Sequence, residues 1–100
     1  MTGRIERRPQ FVEDIRGVWE FIARDSFERA DAFIVELERR YEALATSPFL
    51  GVSRFPNYPT LRIFPFRSYI IIYEPLSSAD GIELIRLLHA ARDYRRFFED

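Results

Sequence analysis

Apolar side chains recur at Phe11, Ile15, Val18, Trp19 and Ile22, a spacing that lines one face of a helix ending near Arg24. Pro9 suits the first turn of that helix, because it fixes φ and has no N–H to leave unpaired. The stretch before it, residues 3–8, reads as a short edge strand. Gly17 lies inside the helix at a cost of about 1 kcal/mol against alanine, which implies the close approach of another backbone. A second helical stripe follows at Ala30, Phe33, Ile34, Leu37, Tyr41 and Leu44. Its start resembles a capping box at Asp25-Ser26-Phe27-Glu28, and Glu36 and Arg40 are spaced to pair on its wet face. So few residues separate the two stripes that the helices must form an antiparallel hairpin.

The pattern then changes. Pro48, Gly51, Pro56 and Pro59 exclude regular structure from residues 47–60 and make a long, partly rigid connection. Residues 61–66 read as a strand with an awkward Pro65, followed by a turn at Arg67-Ser68 and a strand over residues 69–74. Another turn at residues 77–81 leads to a strand over 82–88. Short turns between neighbouring strands make an antiparallel meander, and the nearly unbroken apolar runs require cover on both faces, one of them from the helical hairpin. Asp93 is placed to cap a last helical turn through Tyr94, Phe97 and Phe98. The expected fold is α+β: a two-helix antiparallel hairpin on a small, mainly antiparallel sheet, in a single domain over residues 1–100.

Composition narrows the chemistry. Hydrophobic content of 47% with 31% charged residues is that of a globular chain. The apolar runs are too short to span a bilayer, and the Met1-Thr2-Gly3-Arg4 start has no apolar signal core, so a cytoplasmic protein without membrane contact is expected. The absence of cysteine excludes disulfides, thiolate nucleophiles and cysteine zinc sites. With a single histidine, neither a metal site nor a cofactor is expected. All 15 basic residues are arginine at a net charge of −1. No basic run stands out, so this reads as the codon bias of the source genome, but it leaves no lysine to act as a general acid or base.

The one side chain that ordinarily titrates near neutrality is His89, with Arg86, Arg92 and Tyr94 close in sequence. Imidazole beside guanidinium can move a proton on a phosphodiester while offsetting charge on phosphorus, and Arg62 and Arg67 reach the same place if the strands pair as expected. In the structural alternative, which is preferred, His89 satisfies backbone at a strand end, Arg92 pairs with Asp93 and Arg86 meets a carboxylate. No phosphate loop, metal-ligand spacing or nucleophile elbow is present. Phe49, Phe55, Tyr58, Phe97 and Phe98 fall outside the regular elements, where they either close the core or seat a protein partner.

Several motifs, in order and spacing, resemble the ParE branch of the ParE/RelE toxin superfamily of type II toxin–antitoxin systems. They are Asp14-Ile15 with Val18-Trp19-Glu20-Phe21-Ile22-Ala23, then Leu44-Ala45-Thr46-Ser47-Pro48-Phe49-Leu50-Gly51. Leu61-Arg62-Ile63-Phe64-Pro65-Phe66-Arg67-Ser68-Tyr69-Ile70-Ile71-Ile72-Tyr73 and the closing Ile85-Arg86-Leu87-Leu88-His89-Ala90-Ala91-Arg92-Asp93 complete the match. The resemblance implies a toxin that inhibits DNA gyrase and is neutralised by a ParD-like antitoxin, itself the only route to DNA contact. A groove between hairpin and sheet, with Trp19, Phe33 and Leu37, is the expected antitoxin seat. Two alternatives stay open. One is a RelE-type ribosome-dependent mRNA endonuclease using Arg62, Arg86, His89, Arg92 and Tyr94, in a form that needs no lysine. The other is a degenerate toxin kept for antitoxin binding and autoregulation.

Overall fold

Pro9 opens the first helix, α1 (Pro9–Ala23), directly after strand β1 (Arg4–Arg7). In the computed structural model, which describes residues 3–92 and 94–97, only Arg24, Asp25 and Ser26 separate α1 from α2 (Phe27–Thr46). The helices pack as the antiparallel hairpin the spacing requires. The helix start departs from the expected capping box by one position. Ser26 is the cap, its hydroxyl accepting the Arg29 N–H at 3.1 Å. The residue placed to complete a box is therefore Arg29, which has no acceptor to return the bond.

Strands β2 (Arg62–Phe66), β3 (Tyr69–Pro75) and β4 (Gly81–His89) form the meander, and the sheet runs β1-β4-β3-β2. β1 joins β4 in parallel, while the other pairs are antiparallel. Pro65 is tolerated because β2 is an edge. The register jumps between Ile72↔Arg86 and Tyr73↔Leu84, so Ile85 bulges out of the ladder. That bulge resets the alternation, so Leu84 and Leu87, three residues apart, enter the helix-side core while Ile85 and Leu88 enter the core on the other face.

On the helix side Phe11, Phe33, Leu37, Tyr41 and Leu44 meet Ile71, Tyr73, Ile82, Leu84 and Leu87. On the other side Ile63, Ile70, Ile72, Ile85 and Leu88 are covered by Phe55 and Leu61 of the proline-rich connection, and by Tyr94. Tyr94 begins a 3₁₀ turn, Tyr94–Phe97; the expected cap Asp93 and Phe98 lie outside the described residues. Each fully buried side chain of this size contributes about 1.5–3 kcal/mol. No helix among the described residues is long and apolar enough to cross a membrane.

Tyr73 ties the connection to the sheet. Its buried hydroxyl accepts the Gly51 N–H at 2.7 Å and donates to the Pro48 carbonyl at 2.9 Å, and burial pushes its pKa up. Tyr73→Phe orphans both backbone groups and is expected to lower stability by about 1–2 kcal/mol. Urea unfolding checks this; an unchanged midpoint would mean that the connection is held without that hydroxyl.

Two local expectations are corrected. Glu36 does not pair with Arg40 but with Arg67 of the β2–β3 turn, whose guanidinium holds the Glu36 carboxyl below its ordinary range. Arg40 instead lies over Phe64 and Phe66, 5.8 and 6.0 Å from the ring centroids. Among the described residues no backbone approaches Gly17: a Cβ built there meets none of their atoms within 4 Å.

Candidate functional site

Parallel pairing of β1 with β4 ends at Arg7↔Leu84, and from there α1 takes over the flank of β4. Asp14 fills the place of the missing strand by accepting the Leu87 N–H at 2.9 Å. The same carboxylate grips Arg86 bidentately, from Nε at 2.8 Å and a terminal nitrogen at 3.0 Å. Both side chains are largely shielded from water, at 12% and 17% exposure. Arg86, one of the candidate catalytic residues, is thus engaged in holding helix to sheet. Asp14 was not singled out for chemistry in the sequence, because its partner lies 72 positions away.

The other candidates disperse. Arg62, on β2, donates to the carbonyls of Gly51 and Phe49 and lies 5.1 Å from the centroid of the Phe49 ring. Tyr94 packs edge-on against Phe55 at 6.0 Å, in the core on the face away from the helices. His89 is exposed at the end of β4, where its Nδ1 accepts the Ala91 N–H at 3.1 Å and its ring stands edge-on to Tyr69 at 5.2 Å. Of the five, the structure brings His89 and Arg92 together. They line a groove of about 280 Å³ with Glu13, Gly17, Phe21 and Tyr69, and burial raises the Tyr69 pKa. Among the described residues a histidine flanked by several of these guanidiniums is not assembled.

The aromatic surplus divides in two. Phe55 closes the second core, whereas Phe49, Leu50 and Val52 stand out into solvent. Arg62 and Tyr73 staple the backbone that carries these three, so the apolar surface is held rigidly outward, as at protein interfaces. A second exposed group lies at the hairpin tip. Phe27 is 68% exposed and Phe21 64%, and the Trp19 ring sits 5.8 Å from Phe27 while its indole N–H donates to Asp31 at 2.9 Å.

The expected antitoxin-facing trio is placed unevenly. Leu37 has no exposed surface and Phe33 has 7%, because the apolar stripe of α2 is buried in the core shared by α1 and the sheet, and both serve that core. Trp19 keeps surface. Phe21 was legible as an apolar residue off the buried stripe of its helix, but it was not picked out.

The family model for the ParE toxin of type II toxin–antitoxin systems, parDE, matches residues 5–94. A solved chain of the chromosomal ParDE toxin–antitoxin system from P. aeruginosa superposes with a TM-score of 0.70. The match covers 87% of this chain and 95% of that chain at 11% identity. No curated protein matches the sequence.

Proposed function

Because the chain belongs to the ParE toxin family of type II toxin–antitoxin systems, we propose that it works by binding a protein target, DNA gyrase, which it stalls on cleaved DNA. A ParD-like antitoxin holds it inactive in the cytoplasm and supplies the only contact with DNA. The observation that supports a binding mechanism is the engagement of Arg86 by Asp14, which commits one guanidinium of the candidate nuclease set to holding helix against sheet. The rigid, outward Phe49, Leu50 and Val52 surface supports the same reading, since exposed apolar groups on a fixed backbone suit recognition of a protein.

Expression without antitoxin is expected to induce the DNA-damage response, and supercoiling by purified gyrase is expected to fall in its presence. Unaffected gyrase in both assays would sink the proposal. Ribosome-dependent cleavage of transcripts that is lost in His89→Ala would establish the endonuclease instead. Harmless expression of folded protein would leave antitoxin binding and autoregulation as its role.

A further inference from the structure

We propose that the exposed face of the proline-rich connection is where this toxin docks on gyrase: Phe49, Leu50 and Val52 receive apolar side chains of the target, and Arg54 binds a carboxylate beside them. This rests on the reading of the chain as a gyrase-binding toxin and names the surface that does the binding.

Neighbouring apolar side chains are unfavourable in water, yet this fold commits several groups to holding three of them there. Phe49 is 61% exposed, Leu50 57% and Val52 50%. Beneath them the Tyr73 hydroxyl fixes the Pro48 carbonyl and the Gly51 N–H. Arg62 donates to the carbonyls of Phe49 and Gly51, and Val52 exchanges both backbone bonds with Ile63 of β2, at 3.0 and 2.9 Å. A segment tied at Pro48, Phe49, Gly51 and Val52 loses little conformational freedom on binding, which suits docking on a folded partner.

Charge states the chemistry of that partner. Val52 also lines a hollow of about 420 Å³ with Ser53, Arg54 and Tyr94. The Ser53 hydroxyl is engaged by the Pro59 carbonyl at 3.2 Å, whereas Arg54 is exposed. Among the described residues no carboxylate forms an ion pair with Arg54 or Arg62. Glu74, which reaches the connection through Thr60 at 2.8 Å, also faces Arg8 at 3.9 Å. An apolar patch with a cationic rim is complemented by an apolar surface that carries a carboxylate. A second copy of the chain is a poor occupant, since a two-fold contact sets the patch against itself and brings arginine against arginine. Duplex DNA is a poor one too, because its phosphates are held by charge and hydrogen bonds that Phe49, Leu50 and Val52 do not supply.

The test titrates the full chain with purified gyrase and, in parallel, with the purified antitoxin encoded beside it. Leu50→Ser is expected to weaken gyrase binding about tenfold, and Arg54→Glu about thirtyfold. Arg54→Gln binds more weakly than the wild type and depends less on salt. Both positions are exposed, so each variant keeps the wild-type Tm to within about 3 °C. Inhibition of supercoiling falls with the affinity for gyrase, while antitoxin affinity stays at the wild-type value. Wild-type gyrase affinity in both Leu50→Ser and Arg54→Glu overturns this surface and leaves the gyrase reading intact. So does a loss confined to antitoxin binding, a dimer of the free chain that Leu50→Ser dissolves, or binding of duplex DNA alone that Arg54→Glu abolishes. A wild-type chain that neither binds gyrase nor slows supercoiling overturns the gyrase reading and the surface together.

Discussion

Asp14→Ala is expected to lower the free energy of unfolding by about 3 kcal/mol, at the lower end of the range for breaking a shielded ion pair, because both side chains retain some contact with water. One substitution strands two groups. Arg86 loses both of its bonds to the carboxylate, and the Leu87 N–H loses its acceptor just where β4 has run past β1. For a chain of this size the loss corresponds to a fall in Tm of about 12 °C or more. Combining Asp14→Ala with Arg86→Leu removes the uncompensated charge and is expected to recover part of that loss. The double variant also separates structure from chemistry. If Arg86 serves only to hold α1 against β4, the folded double variant remains toxic; a folded but harmless one would return Arg86 to the catalytic candidates.

Gly51→Ala is the other large effect, about 3 kcal/mol, from forcing a methyl group into occupied space. The added Cβ would lie 2.5 Å from the Tyr73 hydroxyl oxygen, 2.7 Å from a ring carbon and 2.8 Å from the Ile63 carbonyl. None of these is the loose end of a flexible side chain. Tyr73 is fully buried between sheet and helices, and the Ile63 carbonyl accepts the Val52 N–H. The proline-rich connection must therefore lift away from the sheet, taking with it the backbone that presents Phe49, Leu50 and Val52. In a Tyr73→Phe background the closest clash is absent, so the two costs should be less than additive. Urea unfolding of the single and double variants reads this directly, and simple additivity would show that Gly51 and Tyr73 act independently.

The elements themselves were legible in the sequence. The apolar spacing from Phe11 to Ile22 and from Ala30 to Leu44 placed the hairpin, and the runs from Leu61 to Leu88 placed the meander, because burial of one face leaves a period that needs no knowledge of partners. What failed were readings that depended on a neighbour distant in the chain. Glu36 and Arg40 satisfy the helical spacing for an ion pair, but the turn carrying Arg67 arrives over Glu36 and takes it. Phe33 and Leu37 were read as facing a groove, yet both are buried in the core that α2 shares with α1 and the sheet. The capping box slipped by one residue, since either Asp25 or Ser26 can cap and only the backbone geometry chooses.

The site was less legible than the fold for the same reason. His89, Arg86, Arg92 and Tyr94 are close in sequence, and proximity along the chain suggested a cluster. A strand sends neighbouring side chains to opposite faces, the bulge at Ile85 resets that alternation, and the chain turns after His89. Tyr94 accordingly joins the far core, Arg86 meets α1, and His89 stays at the groove with Arg92. By itself the sequence determined the helices, the strands, the absence of lysine and cysteine chemistry and the family motifs, all of which are local or compositional. Tertiary structure alone decided that Asp14 meets Arg86, that Tyr73 holds the loop through Gly51, and that none of the described residues packs against Gly17. Each of these depends on which surfaces are brought together over long separations, and no periodicity along the chain records that.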